Sequence, residues 1–323
     1  MVRIGDRGPE IFPLVLGGNV FGWTADRQAS FEILDAFVAG GGTMIDTAEG
    51  YSQWAPGNDG FESERIIGEW LAARRPDGVQ VATKTGGHRE LKDLDPLRVL
   101  RAVDDSLERL GLDTIDLYWA HYDDADVAIE RQVETFAQIV ALGKARSIGL
   151  SNYTPERLRA WLETASRLGV DLPVAFQPHY NLLHRADVEA HVVPLAREYG
   201  IGLLPYYALA SGFLAGKYRG DAAGRVDQEG GIEASPRAAG AAKYATPQGL
   251  AIVDALEEIG RAHGATIAAT ALAWLRRQPT VAAPIASASR VKQVADLLAS
   301  ATLELTPDEL AELDRVSTWT LPA

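Results

Sequence analysis

The sequence predicts a (β/α)₈ barrel, the TIM-barrel fold, with residues 1–323 in a single domain. Eight short apolar runs each precede a longer amphipathic stretch, which is the order expected of a parallel sheet closed into a barrel. The length of 323 residues suits one such barrel with insertions, and no stretch has the composition of a linker. One barrel domain accounts for the whole pattern.

Each element is predicted from its local pattern. Thr154-Pro155 and Asp95-Pro96 place a capping residue before a proline, which is typical of the first turn of a helix. The predicted strands are residues 14–16, 43–45, 79–82, 115–119, 145–149, 174–176, 202–204 and 281–284. The predicted helices are residues 28–38, 63–73, 96–110, 130–142, 155–167, 187–199, 247–263 and 291–300.

Additional segments fall outside this repeat. Residues 2–12 precede the first strand and are predicted to form a small N-terminal hairpin over the barrel floor. Residues 219–245 are rich in Gly, Ala and charge, and predict a long loop after strand seven that closes over a bound molecule. Residues 266–278 and 306–317 predict two extra helices toward the C-terminus.

Bulk composition excludes several classes of protein. The 44 acidic residues outnumber the 31 Lys and Arg residues and give a net charge of −13, which disfavours binding to nucleic acid or an anionic membrane. The absence of cysteine excludes disulfides, thiolate catalysis and cysteine-bound metals. The N-terminal residues have no apolar core, and no run reaches the roughly 18 apolar residues of a membrane span. We therefore expect a cytoplasmic protein, and the sequence does not indicate its oligomeric state.

The first strand lacks the usual signature of a dinucleotide-binding sheet. Leu16-Gly17-Gly18-Asn19 follows it without the Gly-x-Gly-x-x-Gly spacing. Any dinucleotide site must therefore lie elsewhere in the fold.

Polar side chains at the ends of three consecutive strands are the candidate catalytic residues. Asp46 ends strand two, Lys84 lies at the end of strand three, and His121 follows strand four; Tyr51 comes shortly after Asp46. Active sites of (β/α)₈ enzymes form at the C-terminal ends of the strands, so the four should meet there. Each taken alone also fits a structural role, as a capping Asp, a snorkelling Lys, a packed Tyr or a core His.

Together these residues indicate proton donation to a carbonyl oxygen. A buried lysine beside an aspartate keeps its charge, and that charge favours the phenolate of a neighbouring tyrosine. Such help makes a phenol with a pKa of about 10 a usable acid near neutrality. The set contains no strong nucleophile beside a base, which disfavours acyl transfer. The remaining histidines, including His88, His179, His184 and His191, show no metal-ligand spacing, so no metal site is predicted.

Over essentially its whole length the sequence resembles the aldo-keto reductase superfamily, whose catalytic Asp, Tyr, Lys and His fall on Asp46, Tyr51, Lys84 and His121. The resemblance implies an NADPH-dependent oxidoreductase that reduces aldehydes or ketones to alcohols. Tyr51 would be the general acid, Lys84 would lower its pKa, Asp46 would hold Lys84, and His121 would orient the carbonyl.

The resemblance also implies a set of cofactor contacts. Ser151, Asn152 and Gln177 would hold the nicotinamide carboxamide beside Asp46, and Tyr206 would stack on its ring. The following segment would wrap the pyrophosphate through Tyr207, Leu209, Ser211, Gly212, Leu214 and Lys217. After strand eight, the adenosine 2′-phosphate would meet Ser287, Ser289 and Gln293, with Arg290 and Lys292 nearby. The sequence departs from the family pattern at Ser287, where glycine is common, and at Asp296-Leu297, where Glu-Asn is frequent. Both basic residues also fit a role as solvated helix charges.

An apolar pocket for the substrate is predicted at the rim of the barrel. Trp23, Trp54 and Tyr122 would wall an apolar pocket around Tyr51 and His121, although packed surface aromatics are an equal interpretation.

One alternative function is an NADPH-binding regulatory subunit with weak reductase activity, since some family members resemble ion-channel accessory proteins. Another is a lyase that uses Lys84 as a Schiff-base amine, which would require that amine to be neutral.

Overall fold

The computed structural model describes residues 1–218 and 238–318, and it confirms the predicted (β/α)₈ architecture. Two short strands, β1 (Val2–Arg3) and β2 (Glu10–Ile11), pair antiparallel ahead of the barrel. The eight barrel strands are β3 (Val15–Gly17), β4 (Met44–Asp46), β5 (Gln80–Thr85), β6 (Leu117–Ala120), β7 (Ile148–Ser151), β8 (Ala175–Gln177), β9 (Gly202–Leu203) and β10 (Ile285–Ala286).

All eight barrel strands are parallel, in the order β10-β3-β4-β5-β6-β7-β8-β9. Backbone hydrogen bonds from Ala282 N to Leu203 O and from Ile285 N to Pro205 O, both 2.9 Å, bring the two ends of the sheet together. The eighth strand was predicted at 281–284 but pairs with β3 at Ile285–Ala286, so that boundary is wrong. Val281 forms an isolated bridge with Leu203 and Pro284 O accepts from Val15 N at 3.0 Å, but Pro284 has no N–H to donate, so the regular ladder begins only at Ile285.

Helices surround the sheet close to their predicted positions. Asp95 and Thr154 cap α3 and α5 with their side chains, as the sequence predicted. The helices are α1 (Arg27–Ala39), α2 (Glu62–Arg74), α3 (Pro96–Leu110), α4 (Ile129–Ala141), α5 (Pro155–Leu168), α6 (Val193–Tyr199), α7 (Ala238–Ala242), α8 (Pro247–His263), α9 (Ile267–Arg276), α10 (Lys292–Ala299) and α11 (Pro307–Ser317).

One predicted helix and one predicted loop need correction. A π-helical turn, Val188–Val192, replaces the first half of the helix predicted at 187–199. Pro194 has no N–H to bond back along a continuous α-helix, which accounts for the break. Of the long loop predicted at 219–245, residues 219–237 lie outside the described residues, and α7 occupies part of the remainder.

The N-terminal hairpin covers the barrel floor, as predicted. Ile4 and Ile11 are fully buried and pack in one apolar cluster with barrel-interior residues such as Met44 and Leu117. Asp6 N donates to Gly200 O at 2.9 Å, just before β9 begins, so the hairpin lies at the N-terminal ends of the strands. With the floor closed, the opposite end of the barrel is left for function.

A second, larger apolar core lies between the sheet and the helices. It contains the buried faces of the amphipathic helices, including Trp70 of α2 and Trp161 of α5. This double-layered packing fixes each strand end in space. No helix of the described residues has the length and apolar character needed to cross a bilayer.

Candidate active site

The four predicted catalytic residues meet at the C-terminal ends of the strands. Lys84 Nζ donates to Asp46 Oδ2, to Tyr51 Oη at 2.8 Å and to the Thr47 carbonyl at 2.8 Å. The rings of Tyr51 and His121 lie edge to face with their centroids 5.9 Å apart. An ammonium group has three donors, and all three are used here. The lyase alternative requires a neutral amine, which would not supply three N–H donors.

Strand alternation places Lys84 inside the barrel. Successive residues of a strand point to opposite faces. Thr83 and Thr85 bond outward to Glu64 and Glu49, beneath the helices, and Lys84 between them points inward. In this way β5 presents its one charged side chain to the end of β4, where Asp46 lies.

Burial controls the electrostatics of the Lys84–Asp46 pair. Both side chains are almost fully inaccessible. Burial raises the pKa of Asp46, and the ion pair with Lys84 and a 3.2 Å hydrogen bond from Gln177 Nε2 oppose the rise. Burial likewise lowers the pKa of Lys84, and the Asp46 carboxylate opposes that change. Each group therefore depends on the other to remain charged.

The phenol of Tyr51 lies in a buried environment beside the Asp46 carboxylate. Burial raises the pKa of its phenol well above the ordinary value of 10.0, and the Asp46 carboxylate adds to the rise. Desolvation of the phenolate is the largest cause of this rise, and the lowering of the pKa by Lys84 remains a prediction. The phenol remains protonated at neutral pH, which is the form that a proton donor requires.

His121 is a neutral imidazole packed against the backbone. Burial lowers its pKa well below the ordinary value of 6.5, and Lys84 lowers it further. Among the described residues its Nδ1 has no hydrogen-bond partner. A Cβ added at Gly87 would lie only 2.2 Å from that nitrogen, so only glycine allows the ring to approach so closely. The ring stacks obliquely on Tyr122, with the centroids 4.7 Å apart.

The residues predicted to hold a nicotinamide are adjacent to this cluster. Asn152 Nδ2 donates to His121 O at 2.8 Å and to Ser151 Oγ at 3.1 Å. Tyr206 Oη donates to Asn152 Oδ1 at 2.8 Å, which joins the ends of β7 and β9. Asn152 has a left-handed backbone, with a φ of 57°. Amide groups beside an aromatic ring fit a planar carboxamide-bearing cofactor.

The segment after β9 has the backbone of a tight wrapping loop. Tyr207, Ser211 and Gly212 all have positive φ values, between 53° and 94°. Tyr207 and Lys217 are exposed and Leu209 is partly buried, whereas the Leu214 side chain is completely buried in the core. Leu214 thus offers a ligand only its backbone.

The residues predicted around the adenosine phosphate are mostly engaged within the protein. Ser287 Oγ donates to Asn19 Oδ1 at 2.7 Å, and the Ser289 and Thr24 hydroxyls lie 2.9 Å apart. Gln293 Oε1 accepts from the backbone N–H groups of Ser289 and Arg290. The Arg290 and Lys292 side chains are exposed at this turn. The exposed Arg290 and Lys292 side chains therefore suit a phosphate group better than the hydroxyls of Ser287 and Ser289, which already have partners.

Aromatic side chains surround Tyr51 at the mouth. Trp23 and Trp54 meet edge to face with centroids 5.5 Å apart, and Trp54 lies 6.2 Å from Tyr51. Trp54 and Tyr122 are each nearly half exposed. The predicted substrate residues are therefore brought together, and they form an apolar wall with open faces.

Sequence reasoning missed several residues of the site. Thr47 supplies a backbone carbonyl to Lys84, and Asn19 and Thr24 pair with the serines after β10. A backbone acceptor leaves no trace in side-chain identity. Hydroxyl and amide partners more than 260 positions apart have no local signal either. Glu49 lies within the Asp46–Tyr51 loop but was not singled out, although a carboxylate between two site residues is a visible signal.

A parallel barrel with a buried ion pair at the C-terminal ends of its strands places the protein in the (β/α)₈ class. The profile of the aldo/keto reductase family matches residues 13–318. "Protein tas" of Escherichia coli (strain K12) is 30% identical over 99% of each chain. "Probable aldo-keto reductase 1" of Glycine max is 29% identical over 97% of this chain and 87% of that protein. A "Probable voltage-gated potassium channel subunit beta" of Oryza sativa subsp. japonica is 28% identical over 97% and 95%.

The chain belongs to the aldo/keto reductase family, which confirms the resemblance found in its sequence. Membership in this family makes it an oxidoreductase.

Proposed function

We propose that the protein is an NADPH-dependent reductase that converts aldehydes or ketones to alcohols, with Tyr51 as the proton donor. One observation carries the proposal: Lys84 Nζ lies 2.8 Å from the Tyr51 hydroxyl while it is paired with the buried Asp46. A protonated phenol held by an ammonium can release its proton only as negative charge develops on a neighbouring oxygen.

When bound, NADPH supplies the hydride. Ser151, Asn152 and Gln177 would hold its carboxamide, and Tyr206 would stack on its ring. The substrate carbonyl oxygen would lie between Tyr51 and His121. We assign the single N–H of the neutral His121 ring to Nε2, because Nδ1 packs against Gly87 without an acceptor. As charge develops on that oxygen, Tyr51 donates its proton and Lys84 stabilises the resulting phenolate.

Two basic side chains support NADPH over NADH. Arg290 and Lys292 are exposed at the turn after β10, at the start of α10. A guanidinium and an ammonium there are suited to the 2′-phosphate that distinguishes the two cofactors.

The apolar wall of Trp23, Trp54 and Tyr122 supports a carbonyl substrate that carries a ring or other apolar group.

The first test replaces the proposed acid. In Tyr51→Phe, kcat for NADPH oxidation with 4-nitrobenzaldehyde should fall by about 10²- to 10⁴-fold, the usual contribution of a general acid. NADPH binding, followed by quenching of tryptophan fluorescence, should change little. The assay is repeated with NADH to compare kcat/KM for the two cofactors.

The matched control is Tyr180→Phe. It also removes one buried phenol hydroxyl, but the partner of that hydroxyl is Glu189 and it lies outside the cluster around Lys84. We expect the control to retain most of its activity. Unchanged turnover in Tyr51→Phe would mean that another group donates the proton and that the assignment is wrong.

A regulatory role is the second candidate, and the relative named as a potassium channel β subunit favours it. A subunit of this kind would bind NADPH tightly and turn over slowly with every carbonyl compound tried. Burst kinetics with pre-bound NADPH separates the two candidates. Repeated turnovers at a rate of several per second would exclude a purely regulatory role.

A further inference from the structure

Glu49 is a buried carboxylate between two residues of the site that has no role in the proposed chemistry. Its side chain is 1% exposed and lies in the loop that connects Asp46 to Tyr51. Glu49 Oε1 accepts hydrogen bonds from Gly86 N at 2.7 Å and from Thr85 Oγ1 at 3.2 Å. The Glu49 backbone N–H also donates to Lys84 O at 3.1 Å. The carboxylate therefore ties the loop after β4 to the end of β5.

The backbone that Glu49 holds lies between Lys84 and His121. His121 N donates to Thr85 O at 2.9 Å, and Gly87 packs directly against the His121 ring. Gly86 has a positive φ of 86°, so the chain turns sharply where β5 ends. Movement of this turn would shift the Lys84 ammonium and the His121 imidazole relative to each other.

We propose that Glu49 is a positioning residue, which fixes the end of β5 and thereby sets the placement of Lys84 and His121 relative to Tyr51. The proposal rests on the proposed reductase function for its effect on turnover. Its effect on the geometry of His121 is independent of that function.

The surroundings of Glu49 make this anchor sensitive to pH. The guanidinium of Arg98, on α3, lies 3.6 Å from Glu49 Oε1, and Glu64 of α2 and Tyr118 of β6 also face it. Burial raises the pKa of Glu49 to about 7; Arg98 and the Gly86 N–H oppose the rise, and Glu64 adds to it. Glu49 also borders a cavity of about 410 Å³, whose other charged residues are Asp95, Arg98, Arg101, Asp105 and Arg109.

Protonation of Glu49 weakens the anchor. A neutral carboxyl loses its attraction to Arg98 and accepts more weakly from Gly86 N. The turn after β5 is then held less tightly, so kcat should fall as the pH drops through about 7. Glu49→Gln keeps the shape and one acceptor but remains neutral at every pH, so it should have the low-pH turnover throughout.

Two measurements test the proposal. The first is kcat against pH with NADPH and 4-nitrobenzaldehyde. At high pH we expect about tenfold lower kcat in Glu49→Gln, the scale of a small misplacement of catalytic groups, with the KM for NADPH unchanged. The second is the ¹H NMR signal of His121 Hε1 in the protein without cofactor, assigned by its loss in His121→Gln. The chain has only 6 histidines, so the signals are few.

The NMR signal gives a readout apart from activity. Because burial holds the pKa of His121 well below 6.5, that ring does not itself titrate near neutrality. A shift of its signal with a midpoint of about 7 therefore reports Glu49, and it should vanish in Glu49→Gln. Identical profiles and signals in wild type and Glu49→Gln would overturn the proposal.

Matched variants separate positioning from general destabilisation. Glu64→Gln removes the other buried carboxylate behind β5; that carboxylate bonds to Thr83 and Arg109 and does not contact Gly86. It should lower stability and move the midpoints of the pH profile and of the His121 signal to lower pH, because the Glu64 carboxylate adds to the pKa of Glu49, but it should keep the titration that Glu49→Gln abolishes. If Glu49→Gln does not fold, Glu49→Asp keeps the charge and retracts the carboxylate from Gly86. It should lower kcat and alter the His121 signal, and unchanged values would overturn the proposal.

Failure of the proposed function would be recognised separately. A wild-type protein that turns over no carbonyl compound would contradict the reductase assignment. The titration of the His121 signal would still decide whether Glu49 positions the end of β5.

Discussion

At the scale of single residues, burial rather than charge pairing dominates the chemistry of the site. Asp46, Lys84 and Tyr51 all have pKa values displaced toward their neutral forms, and desolvation is the largest cause for each. Desolvation of an ion pair can cost more than its Coulombic attraction returns. The Lys84–Asp46 pair is therefore better explained by its effect on the protonation of the site than by a contribution to the free energy of unfolding. Tyr51 stays protonated for the same reason.

The raised pKa of Glu49 gives a pH-dependent stability. Between the ordinary value of 4.5 and about 7, the folded carboxyl keeps a proton that the unfolded chain has released. This contribution is fully present below pH 4.5 and is lost as the pH rises through about 7. Relative to Glu49→Gln, the wild-type free energy of unfolding should fall by up to about 3 kcal/mol between pH 4.5 and pH 8. Urea unfolding at several pH values measures the difference.

The control for this prediction is again Glu64→Gln, which should keep a stability that falls as the pH rises, with its midpoint at lower pH because the Glu64 carboxylate adds to the pKa of Glu49. Parallel stability curves for wild type and Glu49→Gln would show that Glu49 has an ordinary pKa. The two Glu49 predictions together imply that the active, ionised form is also the less stable one.

At the scale of elements, helix starts follow from short sequence signals. Asp95, Thr154, Thr246 and Thr306 each precede a proline, and each caps its helix through its side chain. Caps act within one turn, so four residues of sequence suffice to predict them. Strand ends depend on a neighbouring strand, which explains why the eighth strand was misplaced while these helices were not.

The cap of α11 should contribute a measurable part of the stability. Thr306 and Glu309 form a reciprocal capping box, and Glu309 also pairs with His263 of α8 at 2.8 Å. Thr306→Ala should lower the free energy of unfolding by about 1 kcal/mol, the usual cost of a lost cap, with kcat unchanged. Chemical denaturation checks it. Thr302→Ala, at an exposed hydroxyl with a long 3.4 Å bond, is the control and should cost much less.

At the scale of the whole molecule, the barrel brings distant segments to one mouth. The candidate cofactor residues follow β7, β8, β9 and β10, and the proton-transfer residues follow β4, β5 and β6. The hairpin at the opposite end and the double-layered core hold these strand ends in register. The site therefore depends on closure of the whole barrel, and no smaller fragment of the sheet contains it.

Cofactor binding across the mouth should stabilise the entire domain. At one hundred times its Kd, NADPH should add about 2.7 kcal/mol to the free energy of unfolding and raise Tm by several degrees. Arg290→Ala should weaken the shift caused by NADPH and leave the shift caused by NADH unchanged, because only NADPH carries the 2′-phosphate. Differential scanning fluorimetry measures both shifts. Arg131→Ala, which removes an exposed guanidinium from α4, is the control. Equal loss with both cofactors would place the phosphate elsewhere.

Local patterns in the sequence were enough to predict the barrel, its hairpin and nearly all helix positions, because periodicity and caps are local properties. The sequence also identified Asp46, Tyr51, Lys84 and His121, since parallel strands carry residues at corresponding ends to the same rim. The family of the protein followed from these residues and their surrounding motifs.

The three-dimensional packing was needed to reveal the burial of the Tyr51 phenol, the pairing of Ser287 with Asn19 and the anchoring of the β5 turn by Glu49. Each depends on burial or on contacts between residues far apart in the chain. Desolvation is set by every atom packed around a group, and no local pattern in the sequence contains that sum.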